Sequence, residues 1–129
     1  MNNNTLKWIE KANGDYRSML ALADAADGVY YDNVCFLAQQ CIEKLLKAIL
    51  IERDQDVPKI HDLQKLLNVV VGIQPILEPF RNKFIRLTRL SAEVRYPYES
   101  AGKAEADFAV ETCQAARKAL LTIFGNELD

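Results

Sequence analysis

The chain has 129 residues, 50% of them hydrophobic and 26% charged, with a formal net charge of −2 at pH 7. That length and balance fit one globular domain over residues 1–129, and exclude a disordered chain or one drawn to nucleic acid by its overall charge. A domain of this size buries roughly two-thirds of its unfolded surface, so it needs no disulfide or metal staple.

The N-terminal run Met1-Asn2-Asn3-Asn4-Thr5 lacks the basic-then-apolar order of a secretory signal. No apolar run approaches the roughly 20 residues that cross a bilayer. Cys35, Cys41 and Cys113 are odd in number and show no CxxC or Cys/His metal spacing, so they read as buried thiols in a reducing compartment. The expectation is a soluble cytoplasmic protein with no membrane association and no cofactor.

Helical periodicity runs through the chain. Trp8, Ala12, Tyr16, Met19 and Ala23 recur at steps of four and three and form one stripe. Asn4 or Thr5 is the expected cap at its start, and Gly28 follows its end. Val34, Ala38, Cys41, Leu45 and Ala48 keep the same rhythm in a second, longer helix, for which Asp32 or Asn33 is the expected cap. Glu43 and Lys47 stand one turn apart in the favourable order. Residues 54–61, with Pro58, read as a polar loop. Asp62 then opens a short helix over 63–71 that stops at Gly72.

Pro75 and Pro79 fit the first turn of a fourth helix running to about residue 90, because that turn has amide positions to spare. Around Val94-Arg95-Tyr96-Pro97-Tyr98 the chain must leave the helix, since proline disfavours helical geometry before it. A last helix covers 103–124, with Ala109, Cys113, Ala116, Leu120 and Phe124 inward and Gly125 beyond it. No segment alternates as a strand does. The fold expected is all-α: an antiparallel up-and-down bundle of four to five helices. Ile9 and Leu20, Phe36 and Leu37, and Ile49 and Ile51 add apolar surface on second helix faces, which predicts a homodimer packed helix to helix.

The run from Phe36 to Ala48, with Gln39-Gln40-Cys41-Ile42-Glu43-Lys44 at its centre, is followed by His61-Asp62-Leu63 with Leu66, and later by Arg95-Tyr96-Pro97. In this order and on these helices the pieces resemble the HEPN family, the higher eukaryotes and prokaryotes nucleotide-binding domains. The resemblance covers nearly the whole chain. It implies a dimeric bundle with a cleft near the dimer axis, and in prokaryotes a partner nucleotidyltransferase, often in a toxin–antitoxin pair. Many members are RNases with an Arg followed, four to six residues later, by a His. Arg95 matches the Arg, but Ser100, Ala101 and Gly102 stand where the His should fall. Metal-independent RNA cleavage needs one group to take a proton and another to return one, a task that suits histidine and that these three residues cannot perform.

Arg95, flanked by Tyr96 and Tyr98, reads either as a phosphate grip with a stacked base or as a cap on the fourth helix. Arg81, Lys83, Arg86, Arg89 and Arg95 face only Glu93 in the one basic stretch of an acidic chain. A solvated face explains them as well as an anion site does. Gln39, Gln40, Glu43, Lys44 and Lys47 read as an exposed face with local ion pairs; the alternative is that Glu43 and Lys44 reach the cleft and pair with groups near Arg95. His61, the only histidine, reads as a cap or hydrogen-bonded structural group, and Trp8, Tyr16 and Phe36 as core or dimer anchors. Glu105 with Asp107, and Asp54 with Asp56, look like helix-start and loop charges rather than metal ligands. The sequence therefore points to a HEPN-like module, without RNase activity, that binds nucleotide, RNA or a nucleotidyltransferase. Ligand-binding candidates are Arg95, Tyr96, Tyr98, Glu43, Lys44, Lys47 and Arg89. An RNase toxin and a purely structural assembly subunit are the alternatives.

Overall fold

Helix α2 (Tyr31–Glu52) is the axis of the molecule: α1 (Asn3–Ala23), α3 (Leu63–Val70), α4 (Arg81–Glu93) and α5 (Lys103–Phe124) all pack against it. The computed structural model describes residues 1–25, 28–93 and 99–125, and among these every regular element is helical. The all-α fold is as the periodicity requires. Val34, Ala38, Cys41, Leu45 and Ala48 are fully buried, and so are Ala109, Cys113, Ala116 and Leu120 of α5, with Phe124 half-buried. Helix α1 runs against α2, while α5 runs with it. Thr5 lies beside Glu52, and Asp32 accepts a hydrogen bond from the Ala101 amide (2.6 Å) at the opposite end.

Several helix ends differ from expectation. Asn2 caps α1, its Oδ1 accepting from the Thr5 amide (2.7 Å), because the helix begins at Asn3 rather than later. Thr5 Oγ1 instead lies 2.9 Å from both Asn2 Oδ1 and Glu52 Oε1, tying the start of α1 to the end of α2. Helix α2 starts at Tyr31 with no side-chain cap, so neither Asp32 nor Asn33 serves there. Gly28, with φ +66°, precedes it, in a backbone conformation that favours glycine. Asp62 caps α3 as expected, accepting from the Gln64 and Lys65 amides. The two prolines do not open α4. They lie in a separate 3-10 segment, Pro75–Phe80, and α4 begins at Arg81. Pro79 has no amide hydrogen to carry an α-helical register through it.

Of the apolar pairs expected to face a second copy, Ile9 and Ile49 are 2% exposed. Leu20, Leu37 and Ile51 are half-buried, and Phe36 alone stays exposed. The neighbours around α2 absorb most of the second face.

All three cysteines are free and buried. Burial, then the nearby Asp32 and Glu105 carboxylates, push the Cys35 thiol from 9.0 to about 11. The Cys113 thiol is raised by its hydrogen bond with Cys41 and by burial. Raising the Cys35 thiol that far cuts its thiolate fraction at pH 8 by about 100-fold. Thiol titration of the native protein at pH 8 should find all three cysteines unreactive until denaturant is added.

Candidate functional site

Gln39, Glu43 and Lys47 recur at steps of four on α2 and so share one stripe. They are 3%, 4% and 5% exposed, and form a polar seam inside the bundle. The Lys47 ammonium and the His61 Nδ1 both meet Glu43 Oε2, each at 3.1 Å. His61 thus sets Nδ1 against Glu43 while the ring's side chain stays 71% exposed. Gln39 Nε2 donates to the His61 carbonyl, which fixes the amide's orientation. Among the described residues Gln39 Oε1 and Glu43 Oε1 are thereby left as buried acceptors with no donor, and Ser91 Oγ on α4 is buried without a partner as well. Buried polar atoms in native folds are rarely left unmatched. A seam with two bare acceptors one turn apart is chemically suited to an N–H or O–H donor from outside.

Lys47 has a second neighbour. Its ammonium lies over the Trp8 ring of α1, 5.9 Å from the centroid. Lys44, on the next stripe, turns away from the seam: it pairs with Asp15 of α1 at 2.6 Å and bonds Gln40 Oε1 at 3.2 Å. The expectation of an exposed polar face therefore fails for Gln39, Glu43 and Lys47. Of the alternative in which Glu43 and Lys44 pair with groups near Arg95, the structure gives Lys44 on Asp15 of α1, and Arg95 itself lies outside the described residues.

The His61 segment is held in place from both sides. Leu63 donates its amide to Thr88 Oγ1 (3.1 Å), which docks the second half of α4 against the entry to α3. Arg89 follows Thr88 and is exposed, with no ion pair among the described residues. The rest of the basic stretch is divided. Arg81 is forked onto Glu78 (2.7 and 2.9 Å) and reaches Asn68, while Arg86 lies over Phe108 at 3.9 Å. Arg95, Tyr96 and Tyr98 lie outside the described residues. Glu105 and Asp107 serve the start of α5, bonding the Gly102 amide and Lys103 respectively.

The family model for the HEPN domain matches residues 5–123. The chain belongs to the HEPN family. Two solved structures share the fold of this HEPN domain. The protein TT1696 from Thermus thermophilus is 24% identical, with a TM-score of 0.79 over 92% of this chain and 97% of its own. ST0689, an archaeal HEPN homologue, is 20% identical, with a TM-score of 0.72 over 97% of this chain and 100% of its own. No curated protein matches the chain significantly.

The contact of His61 with Glu43 was not readable from sequence, since 18 residues and a loop separate them. The burial of the seam had a signal: a helix apolar on two faces leaves its polar stripe little water to face. Removing Glu43 strands a buried ammonium, so Glu43→Ala should cost about 3–5 kcal/mol. Lys44→Ala, which breaks a partly exposed pair, should cost about 1 kcal/mol or less. Urea unfolding of the two variants beside the native chain measures both.

Proposed function

We propose that this HEPN domain, a single cytoplasmic module over residues 1–129, works as a homodimer and binds a nucleotide or RNA segment beside the Glu43–Lys47–His61 seam, alone or together with a partner nucleotidyltransferase. The observation that carries the reading is the pair of buried acceptors without donors among the described residues, Gln39 Oε1 and Glu43 Oε1. Ribose hydroxyls and the amino edges of bases supply such donors. Arg89 and Arg95 supply cationic grips for phosphate, and Tyr96 and Tyr98 supply rings for a base. Lys47 belongs to the seam, whereas Lys44 is spent on Asp15 and is set aside as a ligand contact. Phe36 and Tyr30, exposed at the start of α2, are the apolar surface that favours a second copy. Ser100, Ala101 and Gly102, standing where the family's RNases carry histidine, argue for binding without cleavage.

A second reading has one observation in its favour. His61 sets its Nδ1 against a buried carboxylate while its side chain stays 71% exposed, as an imidazole base oriented by a carboxylate does. On that reading the domain is an RNase that takes its histidine from the α3 entrance.

Purified protein incubated with total RNA should leave it intact; cleavage that disappears in His61→Ala would establish the second reading instead. Binding of a labelled oligoribonucleotide, followed by anisotropy, should weaken about tenfold or more in Arg95→Ala and in Glu43→Gln, the range expected when a charge-assisted contact is lost. An unchanged affinity in both would leave only an assembly role. Light scattering should give twice the 14.6 kDa chain mass.

A further inference from the structure

We propose that the outer side of α1 carries a second nucleotide seat, in which a base of single-stranded RNA stacks on Trp8 while its phosphates lie beside Lys7 and Lys11. The inference goes beyond the seam reading and does not need it. Trp8, Lys7, Lys11 and Lys44 line an open hollow of about 190 Å³. Trp8 is half-buried, so its ring forms a fixed wall rather than a free side chain.

The charge around the hollow is one-sided. Lys7 and Lys11 are exposed, one helical turn apart, and neither makes an ion pair among the described residues, although Glu10 lies one turn from Lys7. Asp15 offsets Lys44 alone. Two uncommitted ammonium groups beside an indole therefore stand out on a chain whose formal net charge is −2.

The occupant follows from shape and charge together. A flat apolar wall with cations around it, and no polar side chain of its own beyond them, offers stacking and phosphate attraction but no edge-on hydrogen bonds. That is how single strands are held without sequence preference: bases stack on aromatic rings, and lysines follow the backbone. An acidic peptide would satisfy the lysines and leave the indole without a planar partner. The Lys47 ammonium lies over the same ring and links this seat to the seam through Glu43.

Trp8 is the only tryptophan, so the chain's indole fluorescence comes from this ring. Short oligouridylate added to the full chain should quench it saturably, whereas inorganic tripolyphosphate, which has charge but no ring, should not. Trp8→Ala should weaken binding of labelled oligouridylate by about 5- to 100-fold, the value of one stacked base. Lys7→Glu with Lys11→Glu, both on the surface and harmless to folding, should weaken it too and flatten the salt dependence by about 1.4 log units per log unit of salt, the loss of two single-strand phosphate contacts. Oligouridylate that binds with no change in Trp8 emission would overturn the proposal. So would polyglutamate that binds and quenches equally well, or a chain that binds no oligouridylate at all. If Arg95→Ala and Glu43→Gln abolish binding while the lysine reversals do nothing, the ligand occupies the seam alone and this seat is wrong; the opposite pattern leaves this seat standing without the seam.

Discussion

Glu43 and Lys47 lose water on the one helix that every other α-helix touches. Taking a carboxylate and an ammonium out of water costs several kcal/mol each, and their mutual attraction returns that cost only when the remaining lone pairs and protons also find partners. Here they do not all find them: among the described residues Glu43 Oε1 has no donor, and Gln39 Oε1 one turn away has none. An apolar pair of the same volume would pack as well or better. The arrangement is therefore a poor way to stabilise a bundle and a good way to hold a polar group, which is why the functional reading rests on it.

The same pair joins two regions of the surface. On one side Glu43 orients His61, whose segment is fastened to α4 through Leu63 and Thr88. On the other, Lys47 reaches across to Trp8 on α1. Lys47 is the residue that contacts both sides, Glu43 on one and Trp8 on the other. The two seats proposed for this HEPN domain thus share one ammonium rather than lying on unconnected faces. Lys44 does not take part, because Asp15 and Gln40 hold it against α1.

Much of the fold was readable because its signals are local. The four-and-three rhythm located α1, α2 and α5, and Asp62 announced α3 through its capping chemistry. Signals that depend on partners far along the chain failed. Asn2 caps α1 in place of the expected Asn4 or Thr5, since Thr5 is drawn to Glu52 at 47 residues' distance. Ile9 and Ile49 were expected at a dimer face, and yet both are buried because more helices surround α2 than a plain four-helix square would supply. For the site, the Glu43–Lys47 pairing followed from its spacing alone. Its burial, the role of His61 and the diversion of Lys44 did not, since each is decided by which helix packs over which stripe.

The most direct test of the seam's purpose is to make it apolar. In the variant Glu43→Leu with Lys47→Met, urea unfolding and oligoribonucleotide binding should move in opposite directions: stability equal to or above the native chain's, and affinity lost. A variant that binds as well as the native chain while unfolding far more easily would show that the ion pair exists to hold the bundle together, and would contradict the account.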